Sequence, residues 1–135
     1  QIRGRLPAGS YRGIRFALGV PFDLNHDDAS VAPSPLSVSA MFWSWRAGYK
    51  FLRFDDGRDL ARLHVGSTAC VGPNPSQTTR CDRPNVGEIY LPDFTPGRDT
   101  IVADLAALFS DSDLSVNTPD PAPGCESSAR DLDCA

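Results

Sequence analysis

The chain of 135 residues is short of everything that would mark a membrane-spanning or nucleic-acid-binding protein. Its apolar runs are a few residues long and broken by charge, far below the roughly 20 needed to cross a bilayer as a helix. It has no Lys/Arg cluster and a formal net charge of -4, which removes the electrostatic footprint expected of a nucleic-acid partner. Imidazole and thioether are scarce too: two His, His26 and His64, and one Met, Met41. No signal peptide opens the chain, so the sequence reads as a mature form or a fragment. No Ser-His-Asp, Cys-His or paired-carboxylate arrangement stands out, and no catalytic role is expected.

What is present is turn chemistry. Twelve Pro and eleven Gly fall between short apolar runs, the pattern of strands joined by ordered loops with at most a short helix. Strands are expected over 1–6, 11–20, 41–54, 61–65, 88–91 and 100–105, with 104–109 also compatible with a turn or two of helix. The fold expected is one mainly β domain over residues 1–135, antiparallel and sandwich-like. The loop over 29–37, carrying Pro33 and Pro35, is long enough to hold binding groups.

Four Cys occur as two local pairs, Cys70 with Cys81 and Cys125 with Cys134, each closing a loop rich in polar and turn-forming residues. Two disulfides in an oxidising compartment explain that spacing better than a four-Cys zinc site, which favours tighter Cys-x-x-Cys knuckles. A periplasmic or secreted location follows.

The richest stretch is 41–53. It holds Met41, both Trp residues, Phe42, Tyr49 and Phe51. Read as one strand, it places Met41, Trp43 and Trp45 on a single face. With thiols committed to disulfides, two imidazoles and one thioether form a soft-to-borderline donor set that suits copper. Taken singly, each His is more often a surface or hydrogen-bonded residue, and Met beside aromatics is more often core. A calcium module is the competing reading, with oxygen donors from Asp111, Asp113, Asp55 and Asp56, although neither stretch matches the EF-hand loop. A purely structural β module is a third.

Several blocks then carry a resemblance in order along the chain: Gly19-Val20-Pro21-Phe22-Asp23-Leu24-Asn25-His26, Ala32-Pro33-Ser34-Pro35-Leu36, Met41-Phe42-Trp43-Ser44-Trp45 with Gly48-Tyr49-Lys50-Phe51, and His64-Val65-Gly66-Ser67-Thr68 with Cys70, Cys81, Pro84 and Asn85. Together with Gly124-Cys125-Glu126-Ser127 and Asp133-Cys134, they resemble the MbnP-like family, the periplasmic copper-binding proteins encoded beside methanobactin operons. The resemblance implies a β-rich protein holding one copper ion. It also implies a partner, a dihaem peroxidase of the MauG type, that oxidises a Trp to kynurenine on which copper binding depends. Carried over residue by residue, it makes His26, His64 and Met41 the expected ligands and Trp43 or Trp45 the modified residue, with Trp43 favoured by its place two residues from Met41. Asp27 and Asp28 are expected to orient His26 as hydrogen-bond acceptors. Two departures stand out. The family pattern has further strands before the Tyr11 block and some chain after the last Cys, and Glu126 occupies a position where a Met is expected.

Overall fold

The structure is a computed structural model that describes residues 4–57, 62–116, 118, 124–127 and 130–134, without the Cys134 side chain. It is mainly β and sandwich-like, built from three small antiparallel sheets. Strand β1 (Ile14–Leu18) pairs with β7 (Gly87–Leu91). Strands β2 (Phe42–Ser44), β3 (Gly48–Asp55) and β4 (Arg62–Gly66) form the central sheet, and β5 (Thr68–Val71) pairs with β6 (Arg80–Arg83). Two one-turn helices, α1 (Phe22–Asn25) and α2 (Leu105–Leu108), and two 3-10 turns, Ser39–Met41 and Leu132–Cys134, complete the described elements.

The expected strand over 41–54 is a hairpin instead. Met41 closes a short 3-10 turn, Phe42–Ser44 is the first arm, and the chain reverses before Gly48. Ser44 Oγ accepts the Ala47 amide at 3.0 Å, and Gly48 takes a φ of +80°, which a side chain resists. Trp45 therefore lies in the turn and shares no strand face with Met41 and Trp43. The reading over 100–105 resolves to irregular chain followed by α2, whose Asp104 cap accepts the Ala107 amide at 3.0 Å. Residues 4–6 form no strand and 1–3 lie outside the described residues. Strands β5 and β6, which read as loop in the sequence, are clamped at directly opposed positions by the Cys70–Cys81 disulfide.

Little of this architecture rests on an oily core. Among the described residues Tyr49 is the only apolar side chain in full burial, at 2% exposure. The chain exposes 9888 Å², against about 6,900 Å² for a compact monomer of its mass. Hydrogen bonds carry much of the specification. The amide of Asn25, 1% exposed, accepts from Tyr49 N at 2.8 Å and donates to Ala47 O at 3.1 Å, with Ser67 Oγ at 3.5 Å. One side chain thus ties α1 to the β2–β3 turn and to the β4–β5 link.

Candidate metal centre

His64 sits in the middle of β4, opposite Arg53 of β3, and is 5% exposed. Its Nε2 lies 2.9 Å from Asp55 Oδ1, a contact that places the proton on Nε2 and leaves the Nδ1 lone pair free. Asp55 comes from the end of β3, where the antiparallel register returns it toward β4. Burial opposes its charge, but hydrogen bonds from Arg53 and His64 hold its carboxyl below the usual range, and Arg62 Nε adds a contact at 3.1 Å. A carboxylate behind an imidazole is the arrangement that fixes ring orientation in metal sites.

The other side of His64 is completed from far along the chain. Cys125 forms a parallel bridge with Leu63, its amide donating to Arg62 O at 2.9 Å and its carbonyl accepting from His64 N at 2.8 Å. Ser127 Oγ donates to His64 O at 2.6 Å. Between these anchors Glu126 is delivered to the imidazole, with Oε1 at 3.4 Å from Nδ1. The two atoms fall within ion-pair distance yet make no aligned hydrogen bond, so His64 Nδ1 is a buried nitrogen without a partner. The Trp43 ring stands edge-on to His64, centroids 6.4 Å apart at 86°.

His26 caps the C-terminus of α1, its amide donating to Phe22 O at 3.1 Å and its ring against the Phe22 ring. On its Nε2 side lie Asn25 Nδ2 at 3.2 Å and Cys81 Sγ at 3.4 Å. Its Nδ1 is buried and unpartnered, as in His64. Burial lowers the His26 pKa below its ordinary value and favours the neutral, ligand-competent ring. Native proteins leave few buried polar atoms without partners. Two of the three such side-chain atoms among the described residues are imidazole nitrogens.

A cavity of about 420 Å³ lies beside neighbours of both imidazoles, although neither ring lines it. Trp43 and Glu126, which flank His64, line it, as do Ala47 and Ser67, which the amide of Asn25 holds, and Cys70, bonded to the Cys81 that touches His26. No hydrogen bond, ion pair or ring contact joins His26 to His64, or Met41 to either. Met41 is half-buried at the end of its 3-10 turn. Trp43 is half-buried on the cavity wall, whereas Trp45 is 45% exposed and packs edge-on to Phe42.

Asp27 and Asp28 face their own turn: Asp27 Oδ1 accepts the Asp28 amide at 2.8 Å, and Asp28 Oδ1 accepts from Ser30 N and Oγ. Neither hydrogen-bonds to the His26 ring. Asp55 and Glu126 are the carboxylates at an imidazole that the sequence reading missed in this role; strand register brings the first and the Cys125 bridge the second. Asp113 Oδ1 accepts from Ser115, and Asp55 is taken up by Arg53, Arg62 and His64.

Among the described residues, one group of three or more His, Cys, Asp or Glu donor atoms lies within 4.8 Å, namely His26, Cys70 and Cys81. Its two sulfurs are bonded to each other and offer no thiolate, so this is an imidazole packed on a disulfide. Cys125 is also disulfide-bonded, and the side chain of its expected partner, Cys134, lies outside the described residues.

The described residues form a disulfide-stapled β protein in which two buried imidazole nitrogens lack hydrogen-bond partners, an arrangement compatible with a metal ion. The MbnP family model matches residues 1–127, and the chain belongs to that family. It is similar to MbnP from Methylosinus trichosporium, with a TM-score of 0.78 and 30% identity, over 95% of this chain and 52% of the other. The chain thus spans about half the length of that relative. No curated protein sequence matches it.

Proposed function

We propose that the protein is a mononuclear copper-binding protein whose site becomes competent when a Trp is oxidised to kynurenine. The observation that supports this most directly is the pair of buried imidazole nitrogens, His26 Nδ1 and His64 Nδ1, that lack hydrogen-bond partners. Unpaired nitrogens of this kind cost free energy in the metal-free chain, and an ion that accepts both lone pairs removes the cost. The residues fit the ion in kind. Imidazole suits copper, the Asp55 carboxylate orients His64, and Met41, two residues before Trp43, supplies a thioether as a further donor in this reading.

Trp43 is the residue we assign to modification. It stands on the cavity wall beside His64, so a ketone and aryl amine made from its indole would face the metal, which the indole N–H cannot ligate. The modifying partner in this reading is a dihaem peroxidase of the MauG type, and the compartment is periplasmic or extracellular, consistent with the disulfides. No described helix is long and apolar enough to cross a membrane. The role is that of carrier or store, with no catalysis of its own.

The test is co-expression with the dihaem partner, followed by peptide mapping and copper titration. The expected product carries one copper per chain and a 41–46 peptide that has gained one oxygen and lost one carbon, with copper lost in His64→Ala. Unmodified Trp residues and no bound copper after co-expression would sink the reading.

A further inference from the structure

We infer that Glu126 is an oxygen ligand of the metal and that it biases the centre toward Cu(II). The inference rests on the copper reading above and adds a donor that neither the donor inventory nor the family pattern supplies.

Position comes first. Glu126 is held beside His64 by backbone: the Cys125 bridge on one side and the Ser127 hydroxyl on the other fix its place on β4, and its own amide donates to Asp131 Oδ2 at 2.7 Å. Its side chain is 26% exposed and lines the cavity with Trp43.

The separation is informative. Oε1 and His64 Nδ1 are 3.4 Å apart, unaligned for a hydrogen bond, and Nδ1 has no other partner. Two ligand atoms bound to one ion at ~2.0–2.1 Å with a tetrahedral angle between them lie ~3.4 Å apart. The pair is therefore already spaced as neighbours in one coordination shell.

Charge decides which ion benefits. Arg62 Nη1 lies 3.9 Å from Glu126 Oε1. A carboxylate oxygen is a hard, anionic donor. It stabilises the doubly charged, nitrogen- and oxygen-seeking Cu(II) more than Cu(I), which favours sulfur and low coordination. A Met in this position would act in the opposite sense.

The experiment uses the co-expressed, modified protein and titrates Cu(I) and Cu(II) separately against competing chelators, in wild type, Glu126→Gln and Glu126→Met. Gln is nearly isosteric, and the backbone contacts that hold the segment do not use the Glu126 side chain. The inference expects Glu126→Gln to weaken Cu(II) about tenfold or more while Cu(I) changes little. That corresponds to a rise in reduction potential of about 59 mV per tenfold for one electron. Glu126→Met should weaken Cu(II) at least as much and tighten Cu(I), and the paramagnetic spectrum of the Cu(II) form should shift in both variants. Equal changes in the two affinities, no change in either, or an unaltered spectrum would overturn it. Failure of the copper reading looks different: wild type would then bind neither ion, or His64→Ala would bind as wild type does.

Discussion

Asp55 Oδ1 lies 2.9 Å from His64 Nε2 and by that contact decides which nitrogen of the ring is left to bind. Replacing it with Asn keeps the shape, removes the charge, and allows an amide N–H to face the ring. The expected result of Asp55→Asn is a folded protein whose copper affinity falls about 10- to 100-fold. Chelator competition measures the loss. Affinity at the wild-type value would show that the contact is a structural ion pair only.

The two Trp residues separate cleanly. Trp43 stands over His64 on the cavity wall, and Trp45 occupies the β2–β3 turn in contact with Phe42. Trp43→Phe is expected to abolish both the oxidised product and copper binding, whereas Trp45→Phe should leave both intact. Mass mapping of the 41–46 peptide in each variant reads the first, and metal analysis the second. The reverse pattern would move the modification to the turn.

Much of this arrangement was legible in the sequence, and the part that was not has a physical reason. Turn residues and short apolar runs gave the mainly β class, because period-two patterning needs only local chemistry. Cys70 and Cys81 were readable as a pair because the loop they close is short. The hairpin inside 41–54 was hidden: its reversal depends on Gly48 at positive φ beside a buried Asn25, a tertiary requirement that looks like strand when read locally. Asp55 was visible only as part of an acidic turn, since its carboxylate meets His64 through a register that nine residues of separation do not announce. Glu126 was noticed as an unexpected residue at its position, yet its contact with His64 is a non-local parallel bridge that no periodicity encodes.

Gly48 is the most exacting position in the central sheet. A Cβ there would lie 2.2 Å from Asn25 O and 2.5 Å from the Asn25 side-chain amide, in a backbone conformation that already disfavours L residues. Left-handed strain alone costs about 1–2 kcal/mol, and displacing the buried amide breaks the hydrogen bonds that seat α1. Gly48→Ala is therefore expected to lose about 3 kcal/mol or more in denaturant unfolding. A loss below about 1 kcal/mol would mean that the Asn25 network yields without cost.

The anchoring of the C-terminal segment should depend on acid. Asp133 accepts from Thr118 Oγ1 at 2.6 Å and from the Thr118 amide, and the hydroxyl contact is the main cause that holds its carboxyl below the ordinary range. A carboxylate with a lowered folded-state pKa contributes stability above its unfolded value, near 3.9, and loses it as pH falls through the lower folded value. Protection of the Thr118 amide against hydrogen exchange is thus expected to persist at neutral pH and to fail below about pH 4. In Asp133→Asn the acid dependence should disappear. Protection that is independent of pH in wild type would remove Asp133 from the anchor.

The bridge from Cys125 to β4 also sets an order of assembly. His64 and its orienting Asp55 belong to one hairpin, which local chain closure can form early, but Glu126 arrives only when a segment about sixty residues further on docks in parallel against the finished strand. A nascent or translocating chain therefore exposes an oriented imidazole before its carboxylate neighbour exists. In the copper reading, capture of an ion by both groups has to wait until the segment that carries Glu126 has docked on β4.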